Sequence, residues 1–302
     1  MGIFKKPKFL IIGGAVLLAA IALTAALLFL LQPDKIGFFG LDPEAAETVR
    51  LQALLEDEGY EVYYAESLED LESAACKAWI IQTTSDIFAQ KIGDIVGNKA
   101  IFIHRKPSLS QPVRYVGWNM EEAGAALSGL LPLLPAYGDT NEDGVLSYLL
   151  LTPPADDMET AQWEQGIRAG LENFPLPHTI LDVCPCPRTE QAGFDAVTNR
   201  LSAYGRDIEV ILAASEDLAE GAAKAIWQGG WAVNTDFYLL SIGSTEKSLR
   251  ALQEQKRSAL VFADQAAFDE AVLSAVSDTI DGKDPQDYFL PHTTYHTTAP
   301  LG

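Results

Sequence analysis

The segment from Asp139 to Ser147 carries short oxygen-bearing side chains at a spacing that suits the binding of a hard cation. Acidic or amide side chains occupy positions 1, 3 and 5, and glycine occupies position 6. This pattern is typical of a Ca²⁺ loop, because the oxygens converge on one ion while glycine permits the sharp turn. The expected loop ligands are Asp139, Asn141, Asp143, the carbonyl oxygen of Val145, and the Ser147 hydroxyl or a water that it holds.

Position 12 of this segment departs from the calcium sites of helix-loop-helix proteins. Leu150 stands where such sites have a bidentate glutamate, and Leu146–Leu151 has the apolar run of a buried strand. The segment is therefore either half of a cation site that a remote part of the chain completes, or an Asn/Asp/Gly turn without an ion.

The histidines and cysteines offer fewer candidates. His104 follows an apolar run of strand length, and the carboxyl end of a parallel strand faces the ligand crevice, so His104 is a cleft candidate with a loop or capping role as the alternative. His292 and His296 lie in a Thr-rich tail that we expect to be solvated. Cys184 and Cys186 are too close for a redox or zinc CxxC motif, and the prolines beside them indicate a stiff loop.

Composition and motifs exclude two classes of function. The chain has 42 acidic and 21 basic residues and a formal net charge of −21, which repels phosphate backbones and argues against nucleic-acid binding. No nucleophile elbow, phosphate-binding P-loop or dinucleotide-binding glycine motif is present. We therefore expect no enzymatic activity.

The N-terminal region has the features of a membrane anchor. Phe9–Leu31 is apolar except for one threonine, and at about 1.5 Å per residue it is long enough for a hydrocarbon core of about 30 Å. Three lysines precede it, which predicts a cytoplasmic N-terminus. The alternative is a cleaved signal peptide, although its apolar region is normally about 7–15 residues. In both cases residues 34–302 lie outside the cytoplasm, and the first reading predicts a single-pass protein of the cell membrane.

The rest of the chain alternates apolar runs of strand length with segments of helical period. This alternation predicts parallel sheets with helices on both faces, and the number of strands favours two sheets over one. The expected strands are Ile36–Phe39, Val62–Tyr64, Ala78–Ile81, Ala100–Ile103, Tyr115–Val116, Leu146–Leu151, Thr179–Val183, Val210–Ala213, Phe237–Ile242 and Ala259–Phe262. The expected helices are 44–58, 86–96, 120–131, 157–173, 189–204, 216–229, 245–255 and 266–280.

The order and spacing of several segments resemble the type 1 periplasmic solute-binding proteins, above all the galactose/glucose-binding protein of sugar ABC transporters. The resembling segments are 35–37, 100–107, 115–119, 122–124, 139–151, 208–213, 221–222, 241–243 and 281–283. The resemblance implies two α/β lobes joined by a three-strand hinge near residues 118, 264 and 290. The expected division of the chain is an N-terminal stub and anchor over 1–33, lobe 1 over 34–118 plus 264–290, and lobe 2 with the calcium loop over 119–263 plus 291–302.

The resemblance also implies how the cation site is completed. In the family, the calcium loop runs directly into a strand, and the last carboxylate comes from the glutamate of an Ile-Glu-Val strand, which is Glu209 in this chain. The family usually has a longer amide side chain where Ser147 stands. The implied metal set is Asp139, Asn141, Asp143, Val145, Ser147 and Glu209.

The sugar site is where this chain departs from the family, which holds a hexose through Asp, Asn and Arg hydrogen bonds between two aromatic faces. The corresponding polar positions are largely changed, and the loss of one buried hydrogen-bond partner costs about 1–3 kcal/mol. Either the ligand differs or the cleft does not bind a sugar. Trp163 is expected to provide a stacking face or to pack within its lobe. The cleft candidates are Asp42, His104, Asp157, Trp163, Ser215 and Asp264.

The resemblance implies an extracytoplasmic substrate-binding protein that closes by a hinge around a small polar solute, with a sugar as the expected class, and feeds an ABC transporter permease. Ca²⁺ would stabilise it and the N-terminal helix would tether it. The alternative is a non-transporting relic of the binding fold that serves as a sensory or structural partner of a membrane complex.

Overall fold

The computed structural model describes residues 33–154 and 158–297. The expected anchor Phe9–Leu31 and the cleft candidate Asp157 lie outside these residues. Within the described part of the chain, no helix has the length and apolar character needed to cross a membrane.

Lobe 1 is a parallel sheet covered by helices on both faces. Its strands are β1 (Lys35–Phe39), β2 (Glu61–Ala65), β3 (Ala78–Ile81), β4 (Ala100–Ile103), β5 (Arg114–Gly117) and β11 (Asp287–Phe289). They form one six-stranded sheet in the order β11-β5-β4-β3-β1-β2. Its helices are α1 (Ala46–Asp57), α2 (Leu68–Ser73), α3 (Asp86–Val96) and α9 (Gln265–Ile280). Two apolar clusters form the core of this lobe.

Lobe 2 repeats this architecture. Its strands are β6 (Leu146–Thr152), β7 (His178–Pro185), β8 (Val210–Ala213), β9 (Tyr238–Gly243), β10 (Ala259–Phe262) and β12 (Thr293–His296). The sheet order is β12-β10-β9-β8-β6-β7, with only β12 antiparallel to its neighbour. The helices are α4 (Met120–Ser128), α5 (Met158–Gly170), α6 (Glu190–Tyr204), α7 (Glu216–Gln228) and α8 (Glu246–Gln253). Two further apolar clusters fill its core.

The two-sheet α/β fold expected from the sequence is confirmed, and every expected strand is present within two residues of its expected ends. The reason is burial: all seven residues of β6 are buried, as a central parallel strand requires. The solvated-tail expectation was wrong for His296, because β12 pairs with β10 at the sheet edge. The stiff-loop expectation was wrong for Cys184, which is a buried residue of β7.

The described chain passes between the lobes three times. It leaves β5 for α4 at Trp118, returns from β10 to α9 at Ala263, and passes from β11 to β12 through Leu290. Trp118 is half-buried and packs against the apolar clusters of both lobes. These passages bring the carboxyl ends of the parallel strands of the two sheets towards one cleft, which positions the residues described next.

Candidate functional site

Glu159 is the most deeply buried charged group among the cleft contacts that the structure describes. It lies in the first turn of α5 in lobe 2, with a relative exposure of 1%. Its Oε1 accepts hydrogen bonds from the backbone N–H of Lys106 at 3.2 Å and the hydroxyl of Tyr115 at 3.4 Å, both in lobe 1. Its Oε2 accepts a hydrogen bond from Nη2 of Arg188. A carboxylate of lobe 2 therefore joins the two lobes.

Arg188 extends this contact. It directly precedes the N-cap residue Thr189 of α6, at the end of the connection from β7. Its Nη1 donates a hydrogen bond of 3.4 Å to the backbone carbonyl of His104 in lobe 1, while Nη2 pairs with Glu159. The guanidinium thus contacts both lobes with two different nitrogens, in the fork geometry that arginine provides.

Tyr115 lies beneath this group on β5 and is fully buried. Burial raises the pKa of its phenol well above the ordinary value, and the negative charge of Glu159 raises it further. The hydroxyl consequently stays protonated, and its single proton is shared among Glu159 Oε1 at 3.4 Å and the backbone carbonyls of His104 at 3.4 Å and Trp118 at 3.3 Å.

His104 has an unusual backbone conformation and a fixed ring. Its φ of 63° lies in the left-handed region, which few non-glycine residues adopt and which is enriched at functional positions. Its imidazole stacks on Phe268 of α9, with the rings 4.9 Å apart and inclined by 6°. Its Nε2 contacts Glu47 Oε1 of α1 at 2.5 Å.

The contact with His104 changes the pKa of the Glu47 carboxyl group. Burial acts to raise its pKa, but the hydrogen bond and charge of His104 together with the charge of Arg50 outweigh burial, so the pKa is lowered. Glu47 and His104 form a hydrogen-bonded pair at the lobe 1 edge of the cleft, and both side chains are about one third exposed.

Three further cleft candidates cap local backbone turns. Asp42 Oδ1 accepts a hydrogen bond from the Glu44 N–H at 3.0 Å. Ser215 caps α7 by accepting from the Leu218 N–H, and Asp264 caps α9 by accepting from the Ala266 N–H. Each follows a strand of the two sheets, so all stand at strand carboxyl ends. A carboxylate that accepts one hydrogen bond retains capacity for others, which a ligand hydroxyl can use.

The second cluster lies where Glu209 meets the Asp139 loop. Glu209 is fully buried just before β8. Its Oε1 accepts hydrogen bonds from the backbone N–H groups of Thr140 at 2.8 Å and Asn141 at 3.2 Å, and its Oε2 accepts one from Ser147 at 2.7 Å. The fold therefore brings the residue that precedes β8 into contact with a loop that begins 70 positions earlier in the chain, at Asp139.

The loop itself has the turn geometry of its sequence pattern. Asp139 Oδ2 accepts a hydrogen bond from the Gly144 N–H, Asn141 Oδ1 accepts from Asp143, and Asp143 Oδ1 accepts from Val145. Gly144 has a φ of +83°, the conformation that position 6 requires. The loop is thus folded by its own side-chain oxygens.

The loop oxygens suit a hard cation, whereas Glu209 is arranged to hold amides. Asp139 Oδ1 is buried without a hydrogen-bond partner among the described residues, which is a position that a cation satisfies. The Glu209 oxygens, however, already accept three backbone N–H groups, and the described residues contain no cluster of three or more acidic, histidine or cysteine side chains arranged to hold a metal. Burial raises the pKa of Glu209, and the negative charge of Asp139 raises it further. The hydrogen bonds from the three backbone amides lower the pKa but do not outweigh these effects.

A family model described as a periplasmic binding protein domain matches residues 101–284, more than half of the chain. The chain belongs to the periplasmic binding protein family. The resemblance to the type 1 solute-binding proteins is thereby confirmed.

Solved structures show the same fold at low sequence identity. A protein from Mycobacterium smegmatis in complex with β-D-fucofuranose has a TM-score of 0.72 at 16% identity, over 88% of this chain and 92% of that chain. The glucose-galactose binding protein of Geobacillus stearothermophilus has a TM-score of 0.70 at 16% identity, over 88% and 98%.

The arabinose ABC transporter component from Shewanella sp. ANA-3, bound to α- and β-L-arabinofuranose, has a TM-score of 0.68 at 14% identity, over 87% and 92%. No curated protein sequence matches the chain.

In this binding protein, Trp163 does not present a stacking face to the cleft. Its side chain is fully buried in the core of lobe 2 beside Ile167. The cause is the close packing of α5 on α4: a Cβ at Gly166 would meet the Glu121 carbonyl at 2.1 Å. Two helices in such contact turn the intervening side chains into the core.

Sequence reasoning missed the cleft roles of Arg188 and Tyr115 in the binding protein. Arg188 follows a strand at its carboxyl end in a chain with few basic residues, and this placement was a usable signal. No feature of the sequence pointed to Tyr115, because aromatic residues are common in buried strands.

Proposed function

We propose that this protein is the extracytoplasmic solute-binding component of an ABC transporter and takes a sugar or a similar polar solute between its lobes. The observation that carries the proposal is the meeting of polar groups from both lobes at the carboxyl ends of two parallel sheets, across a three-passage hinge. The structural neighbours that contain fucofuranose and arabinofuranose support a sugar as the solute.

The proposed mechanism is hinge closure around the solute. His104 and Glu47 offer a donor and acceptor pair at the lobe 1 edge, and Asp42 and Asp264 add carboxylate oxygens. Sugars carry hydroxyl groups that such side chains bind, and Ser215 together with Asp157 would contribute from lobe 2. Because the hexose-binding positions of the family are altered, a furanose or another compact polyol is the preferred class.

The test is a thermal-shift screen of the purified full-length chain with pentoses, hexoses and their furanose forms. A solute at 100 times its Kd raises the free energy of unfolding by about 2.7 kcal/mol, or Tm by roughly 5 °C. His104→Ala is expected to remove the shift, whereas Lys224→Ala on the outer face of lobe 2 is expected to retain it. If no solute shifts the Tm of the wild type, the sugar-binding proposal is wrong.

We further propose that Ca²⁺ binds the Asp139 loop and stabilises lobe 2. The support is the turn geometry of the loop and the buried Asp139 Oδ1, which has no hydrogen-bond partner among the described residues. The expected result is a higher Tm in Ca²⁺ than in chelator for wild type and for Glu142→Gln, an exposed loop residue, but not for Asp143→Ala. Equal Tm values for the wild type in both conditions would contradict the Ca²⁺ proposal. The loop would then be held only by its own hydrogen bonds and by those of Glu209 to three backbone amides.

The N-terminal segment is proposed to tether the protein to the outer face of the cell membrane. The support is the apolar run Phe9–Leu31 behind three lysines. Membranes of the native host, washed with carbonate at high pH, should retain the chain. Its release into the wash as a shortened chain would indicate cleavage instead.

A second function is favoured by a specific observation: groups of the protein itself join the lobes through Glu159 and Arg188. In this alternative, the protein is a sensory or structural partner of a membrane complex. Affinity purification from the native host distinguishes the two. Recovery of permease and ATPase subunits supports transport, and recovery of a sensor kinase supports the alternative.

A further inference from the structure

The contact between Glu159 and lobe 1 is made with groups that are themselves fixed. The Lys106 N–H belongs to the segment that follows β4, and the Lys106 ammonium is held by Asp287 of β11 at 2.5 Å. Tyr115 is fully buried on β5. Glu159 therefore binds to a rigid edge of lobe 1 rather than to a loose side chain.

Arg188 binds the same edge independently. Its contact with lobe 1 is through the His104 carbonyl, and the His104 ring is held by Glu47 and stacked on Phe268. Opening the cleft would separate the guanidinium from this carbonyl. It would also separate the Glu159 carboxylate from the Lys106 amide and the Tyr115 hydroxyl, which are its lobe 1 partners.

The burial of the Glu159 carboxylate favours the arrangement in which the two lobes are in contact. A carboxylate with 1% exposure is stable only with compensating donors, and three of those described come from Arg188, Lys106 and Tyr115. Charge-assisted hydrogen bonds of this kind are the stronger ones in proteins. All of these interactions are made between groups of the chain itself.

We propose that Glu159 and Arg188 form a built-in tether that holds the two lobes together in the absence of a solute. The tether is distinct from the solute-binding proposal, because it depends only on contacts between residues of this chain. Closure by the tether makes the solute-free protein compact, and a solute that enters the cleft must compete with it.

Hydrogen–deuterium exchange of the full-length chain, without added solute, tests the tether. The Arg188→Met variant removes both guanidinium contacts but leaves the Lys106 and Tyr115 donors in place. We expect amide exchange in the cleft-edge segments 42–46 and 214–218, which do not touch the tether, to rise at least about threefold. Tyr115→Phe, which removes a hydroxyl shared between Glu159 and the lobe 1 carbonyls of His104 and Trp118, is expected to give a smaller rise in the same segments.

The matched control is Arg200→Met, which breaks an arginine–carboxylate pair with Asp182 that lies wholly within lobe 2. It should leave both cleft-edge segments at the wild-type exchange rate. Unchanged exchange in Arg188→Met and Tyr115→Phe would overturn the tether, as would the same rise in the control. A sugar screen without a hit does not affect this result, because no solute is present.

Discussion

At the residue scale, the clearest electrostatic coupling at the cleft edge is between Glu47 and His104. The two groups come from different elements, α1 and the segment after β4, and meet at 2.5 Å. The carboxylate is favoured in its charged form because His104 and Arg50 outweigh the effect of burial. The pair therefore makes a contribution to stability that depends on pH.

The sign of this pH dependence follows from the lowered pKa of Glu47. A carboxyl group with a lowered folded-state pKa contributes stability above its ordinary pKa of 4.5, and the contribution is lost as the pH falls through the folded-state value. We expect Glu47→Gln to be less stable than wild type at pH 7, with the difference shrinking below pH 4.5. Urea unfolding across this range measures it.

The control for this series is Glu44→Gln. Glu44 is an exposed acid in the turn before α1, and its side chain has no part in the His104 contact. Its difference from wild type should stay small at every pH. A Glu47→Gln difference that grows on acidification would contradict the coupling.

At the element scale, the helix pairs of lobe 2 depend on glycine at the points of closest approach. A Cβ at Gly221 of α7 would lie 2.0 Å from the Glu190 carbonyl and 2.4 Å from the Phe194 N of α6. Backbone atoms at these distances cannot rotate away as a side chain can. The close contact of α6 and α7 covers one face of the second sheet.

Gly221→Ala is therefore expected to destabilise the protein by about 1–3 kcal/mol, the usual cost of overpacking. The sign of the change in the free energy of unfolding is informative, because a glycine-to-alanine substitution in a helix without such contact stabilises by up to about 1 kcal/mol. Chemical denaturation of the purified chain gives the value. A gain in stability would show that the two helices have room to separate.

At the scale of the whole molecule, the two lobes are coupled through the hinge as well as through the cleft. Trp118 follows β5 at the first passage, packs on the cores of both lobes, and has its ring 6.3 Å from that of His292 at the third passage. A single side chain therefore joins two of the three passages.

We expect Trp118→Ala to lower the free energy of unfolding, by less than the about 3–5 kcal/mol typical of a fully buried aromatic residue, because Trp118 is only half-buried. Amide exchange should rise in both lobes. Trp227→Ala is the matched control, since that tryptophan is 75% exposed on α7 and should change neither quantity. An effect confined to one lobe would contradict the coupling.

The sequence predicted most of the sheets because central parallel strands are apolar on both faces, and such runs stand out. It missed the helix α2, whose six residues are too few to show a helical period, and the edge strands β11 and β12, which are short and largely polar. For an edge strand, pairing is decided by where the chain returns and only weakly by its residue types.

The sequence by itself determined the two-lobed class, the oxygen-rich Asp139 loop and the strand ends that carry His104, Ser215 and Asp264, because these depend on local periodicity and local turn chemistry. Only the tertiary structure decided that Trp163 faces the core and that Glu159 and Arg188 bridge the lobes. Those outcomes depend on helix packing and on contacts between residues far apart in the chain, and neither leaves a local pattern that can be read before the chain is folded.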